Sequence, residues 1–309
     1  MSTVYLLGAG FTHAVLGNVA PLNDEVIGRL KLRKYSELET EYGQANPSIE
    51  QFLTLLDLKL ARAEQRKYIG TSRLRKIRKK IIERIVDVFS YERLYIDDLD
   101  QKEVLKKFVL SLPTPALILT LNYDCVLDQA LWYSGRWSPY DGYGIRVPSD
   151  EEELSTKNIR LFKLHGSVNF KERSDDQEYP FVEINNKLFP GAFSERNKRG
   201  SSHIIAMSYI KAFRNGLMRF WRDAIVAMRE AEHLIIIGCS LRDEDTFLRF
   251  LLYNFGMKKS CDTFKIDIVD KGKKNANAIK KKVEGLVACP KLQKISTHDK
   301  GLEHYLSNK

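Results

Sequence analysis

The chain of 309 residues carries 50 Lys+Arg against 40 Asp+Glu, a formal net charge of +10 and a pI near 9.2. Hydrophobic residues at 43% and charged residues at 29% match globular proteins and exclude wholesale disorder. The longest apolar runs, such as Leu234–Ile237, are strand-sized and far short of the ~20 residues a membrane span needs.

The opening Met-Ser-Thr-Val-Tyr-Leu-Leu-Gly has no basic leader, so no signal peptide is expected and the cytoplasm is the expected compartment. Thr3–Leu7 predicts a short buried strand ending at Gly8-Ala9-Gly10. From Leu22 to about Leu110 the pattern is helical: Leu53, Leu56 and Leu60 recur at helical spacing, as do Leu74, Ile77, Ile81, Ile85 and Val88. Pro113 and Pro115 close this stretch, and Ala116–Leu121 predicts a second strand running into Asn122-Tyr123-Asp124. Asp124 could cap the helix that carries Val126, Leu127, Ala130 and Leu131. Ser134–Pro148 reads as a loop, and Arg160–Leu164 as a strand ending at His165-Gly166-Ser167, with a strand-and-loop stretch following to about Ser202. Tyr209–Glu232 predicts a long helix with Phe213, Leu217, Phe220, Ala224 and Met228 on one side. His233–Ile237 is a fourth strand, and Gly238-Cys239-Ser240-Leu241 turns into a helix capped near Asp243. Phe264–Val269 is a fifth, ending at Asp270 before a basic helix.

Apolar strands that end in Gly- or Asn-containing turns and alternate with helices predict an α/β fold, a Rossmann-like doubly wound parallel sheet. The inserted helical subdomain is expected over residues 21–110, and the catalytic domain over 1–20 and 111–309. In such sheets ligands bind beyond the carboxyl ends of the strands, so the turns at 8–12, 122–124, 165–167 and 238–240 should converge.

Cys125, Cys239, Cys261 and Cys289 contain no CxxC pair, and no two histidines have metal-ligand spacing, so no metal is expected. Charge is unevenly placed. Eleven Lys/Arg stand against two Glu between Lys59 and Arg84, and Lys271, Lys273, Lys274, Lys280, Lys281 and Lys282 form a second cluster. Acidic residues collect at Asp97–Asp100 and Asp150–Glu153. An ordinary charge run is a solvated helix face; one this dense points to an anionic partner, either non-specific nucleic acid or an acidic protein surface, met through Arg73, Arg75, Lys76, Arg78, Lys79 and Lys80. Tyr68 is the only interleaved aromatic, which disfavours a single-strand stacking platform.

Taken singly, each turn signal has a bland alternative. Gly8-x-Gly10 opens like a dinucleotide phosphate turn but lacks the third glycine, with Ala14 the nearest small residue, and could be only a tight strand-to-helix turn. A histidine at a strand end is more often a hydrogen-bonded structural residue than a catalyst, and Asn122 could merely fix a turn. Asp270 could be only a loop residue. Together, in order, Gly8-Ala9-Gly10-Phe11-Thr12, Thr120-Leu121-Asn122-Tyr123-Asp124, Leu164-His165-Gly166 and Gly238-Cys239-Ser240-Leu241 resemble the sirtuin superfamily. The Gly-Ile-Pro-Asp-Phe-Arg segment and the four-cysteine zinc module of the deacetylase branch are absent; Thr12 leads into His13-Ala14-Val15, and a helical insertion follows Pro21-Leu22-Asn23. Together with Ile49-Glu50-Gln51-Phe52-Leu53 and the Ile204-Ile205…Lys211…Trp221 run, the sequence is similar to the sirtuin-like NAD hydrolases of bacterial antiphage defence.

That resemblance implies a set of roles. Gly8, Ala9, Gly10, Phe11 and Thr12 would form the pyrophosphate turn, and Gly238, Ser240 and Leu241 would contact phosphate or adenosine ribose. Asn122 would hold a water or the nicotinamide ribose, Asp124 would orient its turn, and His165 would be the acid/base group. Asp270 would accept the adenosine ribose hydroxyls, a carboxylate being able to take two. NAD is then the substrate, with products nicotinamide and ADP-ribose. The resemblance further implies a homo-oligomer and, as partner, a HerA-type DNA-translocating ATPase. The alternatives are an NAD-dependent lysine deacylase, a non-catalytic NAD or ADP-ribose sensor, and a DNA-binding subunit.

Overall fold

The structure, a computed structural model, describes residues 2–30, 48–65, 71–145, 159–171, 181–192, 202–205, 208, 215–243, 245–257, 263–289 and 291–309. Among the described residues, six strands form the central sheet: β1 (Thr3–Leu7), β2 (Ala116–Thr120), β3 (Ile159–Lys163), and, after a smaller sheet, β7 (His233–Ile237), β8 (Phe264–Val269) and β9 (Leu292–His298). Their order is β3-β2-β1-β7-β8-β9 and every neighbouring pair is parallel. The order reverses between β1 and β7, the switch point of a Rossmann-like α/β fold. Strands buried on both faces read as unbroken apolar runs, and β7 is buried throughout. β9 lies at an edge, carries only Leu292 and Ile295 as apolar residues among Gln, Lys, Ser, Thr and His, and was not foreseen for that reason. Strands β4 (Gly166–Lys171), β5 (Phe181–Val182) and β6 (Ser202–Ile204) form a separate antiparallel sheet in the order β5-β4-β6.

The helices are α1 (Ala9–Leu16), α2 (Asn23–Arg29), α3 (Ile49–Gln65), α4 (Thr71–Val88), α5 (Glu103–Ser111), α6 (Val126–Tyr133), α7 (Asn215–Glu230), α8 (Thr246–Tyr253), α9 (Lys273–Leu286) and α10 (Leu302–Ser307). Of the apolar stripes expected from spacing, α3 and α4 bury Leu53, Leu56, Ile81, Ile85 and Val88, together with Phe52, while Leu60, Leu74 and Ile77 are half-buried. Phe108 of α5, within the stretch expected to be the insertion, packs edge-on against Tyr5 of β1 and Phe11 of α1. This helix therefore covers the sheet. The long helix expected from Tyr209 begins at Asn215 among the described residues, with Leu217, Phe220, Ala224 and Met228 buried as expected. Lys211, Phe213, Cys261 and the acidic run at 150–153 lie outside the described residues. The cap of α8 is Asp245, whose Oδ1 accepts the Leu248 N–H at 3.1 Å; Asp243 is exposed and pairs with Arg249 instead. No described helix is long and apolar enough to cross a membrane.

Candidate functional site

The turns after β1, β2, β3 and β7 converge, with the turn after β8, on one cavity of about 1010 Å³. That volume is at the upper end of the ~300–1,000 Å³ usual for ligand pockets. Gly8, Ala9, Gly10, Thr12, Asn122, Asp124, His165, Gly238, Ser240, Leu241 and Asp270 all line it. Phe11 does not: its side chain is 1% exposed and packs on Phe108, 4.9 Å between ring centroids, so it anchors α1 in the core.

The glycines answer first to each other. A Cβ on Gly8 would sit 2.6 Å from the Gly238 carbonyl oxygen, and one on Gly10 2.8 Å from Gly238 Cα. Gly238 has φ +56, and a Cβ there would lie 2.3 Å from the Phe11 nitrogen. The turns after β1 and β7 are thus pressed backbone to backbone, which only glycine permits. Their amides are partly committed: Gly8 N–H donates to Ile237 O at 3.1 Å, Gly10 N–H to Gly238 O at 2.9 Å, and Phe11 N–H to Gly8 O at 2.9 Å. Ala9, first in α1, has no intrahelical acceptor for its N–H and lines the cavity at the positive end of the helix.

Asn122 is held from three sides. Its N–H donates to Thr120 Oγ1 at 3.1 Å, and its Nδ2 donates to Gly8 O and Thr12 Oγ1, both at 3.0 Å. A carbonyl can only accept, so the amide orientation is fixed and Oδ1 is the atom presented as an acceptor. Thr12 Oγ1 in turn donates to Asp124 Oδ2 at 3.1 Å, and Asp124 Oδ1 accepts the Val126 N–H at 3.1 Å. The N-cap of α6 is Cys125, one residue later than expected; Asp124 accepts the Val126 N–H from just before the cap and, through Thr12, ties the turn after β2 to α1. Burial pushes the Asp124 carboxyl above its ordinary range, opposed by Lys163 and by these hydrogen bonds.

Beneath that turn lies a charged pair the sequence reading missed. Lys163 and Asp128 are each 1% exposed; Lys163 Nζ lies 3.1 and 3.3 Å from the two Asp128 carboxylate oxygens and donates to the Asp124 carbonyl. Tyr143 Oη donates to Asp128 Oδ1 at 2.5 Å and accepts from Asn169 Nδ2 at 3.0 Å. Burial works against the Lys163 ammonium, but Asp128 beside it prevails and holds it above the usual lysine range. The only local signal was a lysine ending an apolar strand, which reads as a solvated terminus.

His165 is 9% exposed, and its Nε2 lies 2.8 Å from Asp245 Oδ2. Asp245 also escaped the sequence reading, which placed the helix cap two residues earlier. Glu50, 4% exposed, lines the cavity and accepts from Arg242 Nη1 at 2.9 Å, while Arg242 Nη2 donates to Asp24 on α2. Ala20, Pro21, Leu22, Asp24 and Glu50 thus extend the cavity wall toward α2 and α3. At the other end Asp270 sits among Lys271, Asn275, Lys282 and Lys300. Burial raises the Asp270 carboxyl, countered by hydrogen bonds from the Lys271 N–H and Asn275. Lys282 Nζ donates to Leu241 O at 2.9 Å, bracing a loop in which Leu241 takes φ +49. No group of three or more His, Cys, Asp or Glu among the described residues has a metal-holding arrangement.

The basic residues proposed for an anionic partner are all on α4, and the structure divides them. Arg78 is paired across to α3, 2.6 Å from a largely buried Asp57, and Arg75 lies 2.7 Å from Glu64. Arg78 is therefore a staple between α3 and α4. Arg73, Lys76, Lys79 and Lys80 are exposed, with Lys79 3.9 Å from Glu83.

Residues 116–260 match a protein-family model described as SIR2-like domain. The matched stretch contains Asn122, Asp124, His165, Gly238, Ser240 and Leu241; the turn at 8–12 and Asp270 lie outside it. No curated protein matches the chain. Among solved structures, it is similar to Sir2Tm bound to a propionylated peptide, at 12% identity over 100% of this chain and 91% of that one, with a TM-score of 0.40. It is also similar to SIR2 in complex with the inhibitor EX-527, 2'-O-acetyl-ADP-ribose and a deacetylated p53 peptide, at 12% identity over 99% and 91% of the two chains, with a TM-score of 0.35.

Proposed function

We propose that this chain is an NAD glycohydrolase that cleaves NAD to nicotinamide and ADP-ribose and so depletes NAD in antiphage defence. The observation that carries this reading is the pairing, in one cavity, of a fixed Asn122 acceptor with a buried His165 held by a carboxylate. The SIR2-like domain over residues 116–260 supports NAD-dependent chemistry of the sirtuin type at that cavity.

The residues suit the demands of the reaction. Nicotinamide bonded to ribose is a cationic leaving group and departs neutral, so the site needs no strong acid to expel it. It must hold the ribose, shelter an oxocarbenium-like carbon and place water against it, a positioning problem. Asn122 Oδ1 accepts a hydrogen bond from that water or from a ribose hydroxyl, because Nδ2 is already committed to Gly8 and Thr12. As the water oxygen bonds to the anomeric carbon and the carbon–nitrogen bond breaks, His165 takes the released proton. Ala9 and the start of α1 would hold the pyrophosphate, with Ser240 and Leu241 beside it, and Asp270 would accept from the adenosine ribose. The basic face of α4 serves assembly, within a homo-oligomer and against a HerA-type DNA-translocating ATPase or nucleic acid itself.

The test is nicotinamide release from NAD by the purified chain, alone and with DNA, with a partner ATPase, or with an acyl-lysine peptide. Asn122→Ala and His165→Ala are expected to lower turnover by ~10²-fold or more. Unimpaired turnover in both would remove these role assignments. Release that depends on the acyl peptide would make the chain a deacylase, and nucleotide binding without turnover in any assembly would make it a sensor.

A further inference from the structure

We propose that Asp245 is a positioning residue for His165, holding its imidazole in the Nε2–H tautomer and compensating the charge when it takes a proton. The proposal deepens the glycohydrolase reading above, since it is the acid/base step there that Asp245 would serve. Nothing in the 165–167 turn or in the SIR2-like match assigns this role.

Both carboxylate oxygens of Asp245 have defined partners. Oδ1 caps α8 through the Leu248 N–H at 3.1 Å, and Oδ2 lies 2.8 Å from His165 Nε2. The residue is 6% exposed, so neither bond competes with bulk water. The start of an eight-residue helix favours negative charge at its cap. An ionised carboxylate can only accept, so Nε2 must carry the proton and the lone pair of the neutral ring lies on Nδ1.

Two aromatic rings flank the imidazole. Tyr123 and Trp221 stand 6.4 and 6.0 Å away, centroid to centroid. Tyr123 is fixed through Oη to Ile205 O at 2.5 Å, and Trp221 through Nε1 to Leu164 O at 2.9 Å. The other ionisable groups around this part of the cavity have their own partners. Glu50 is bonded to Arg242, Asp124 to Thr12 and Val126, and burial keeps Tyr123 above its ordinary range and hence neutral. Asp245 is the described carboxylate paired with the imidazole.

The test uses the full chain with ¹⁵N-labelled histidine, His165→Gln supplying the assignment. Wild type is expected to show His165 as the Nε2–H tautomer. Asp245→Ser keeps a good helix cap but removes the carboxylate, and its His165 should titrate about one pH unit lower. In turnover, Asp245→Ser should lower kcat ~10–100-fold with little change in KM, and the acid limb of the pH profile should move to lower pH. If Asp245→Ser unfolds α8, Asp245→Asn is read in its place with the same expected shift. An Nδ1–H tautomer in wild type, or superimposable His165 titrations in wild type and variant, would overturn the proposal. The resonances report whether or not NAD is consumed. A wild type that shows the tautomer and shift without turnover therefore sinks the glycohydrolase reading while leaving the Asp245–His165 pair in place.

Discussion

Lys163 offers the sharpest perturbation. Its ammonium and the Asp128 carboxylate face each other at 3.1 Å with each side chain 1% exposed. At an effective dielectric near 20 that separation is worth about 5 kcal/mol of attraction, most of it offset by the cost of taking both ions out of water. Lys163→Met removes the cation and leaves Asp128 charged and buried with Tyr143 as its remaining partner; it also strips the Asp124 carbonyl of a donor. The expected loss is about 3–5 kcal/mol, because an orphaned buried charge costs far more than the pair contributes. Urea unfolding at pH 7 measures it. The double change Lys163→Met with Asp128→Leu removes both ions and should return to within about 1–2 kcal/mol of wild type. A single variant within 1 kcal/mol of wild type, or a double variant no better than the single, would refute the reasoning. In a folded Lys163→Met protein, nicotinamide release should fall as well, since Asp124 and Asn122 share the turn that Lys163 supports.

Two further outcomes follow from other parts of the molecule. Gly238→Ala places a methyl 2.3 Å from the Phe11 nitrogen at φ +56, so thermal unfolding should show a loss of about 3 kcal/mol or more together with lost NAD turnover; a stable, active variant would mean the two turns can part cheaply. Asp267 bonds His233 Nε2 at 2.7 Å and His298 Nε2 at 3.2 Å, and although burial opposes ionisation these bonds prevail and hold its carboxyl at about 2. A carboxyl held below its unfolded value near 3.9 stabilises above that pH and loses the contribution as pH falls through about 2. Asp267→Asn should therefore cost roughly 2 kcal/mol at pH 5, with the gap from wild type closing between about pH 4 and pH 2 in denaturant titrations.

Much of this protein could be read from the chain alone, and for a definite reason. The strands buried on both faces announce themselves as apolar runs at Thr3–Leu7, Ala116–Thr120 and His233–Ile237. The strand ends must then carry Gly, Asn or His to turn the chain and stay wet, so Gly8, Asn122, His165 and Gly238 were legible as a set before any contact was known. The helical stripes of α3 and α4 follow from the same period-matching of apolar residues. What the chain could not disclose is partnership between residues distant in sequence. Gly10 and Gly238 are needed because two turns 228 positions apart touch, Asn122 presents Oδ1 because Gly8 and Thr12 consume its amide, and Phe11 faces Phe108 instead of a ligand. Lys163 with Asp128, Arg242 with Glu50 and His165 with Asp245 all read as unrelated polar residues until the fold buries them together. Burial is what turns such a residue from a solvated side chain into one that must find a partner, and burial is decided by tertiary structure alone. The opening +10 divides the same way: the sequence determined that the charge is concentrated in the insertion and near the carboxyl end, while only packing decided that Arg78 is spent on Asp57 and that Lys76 and Lys80 stand in solvent.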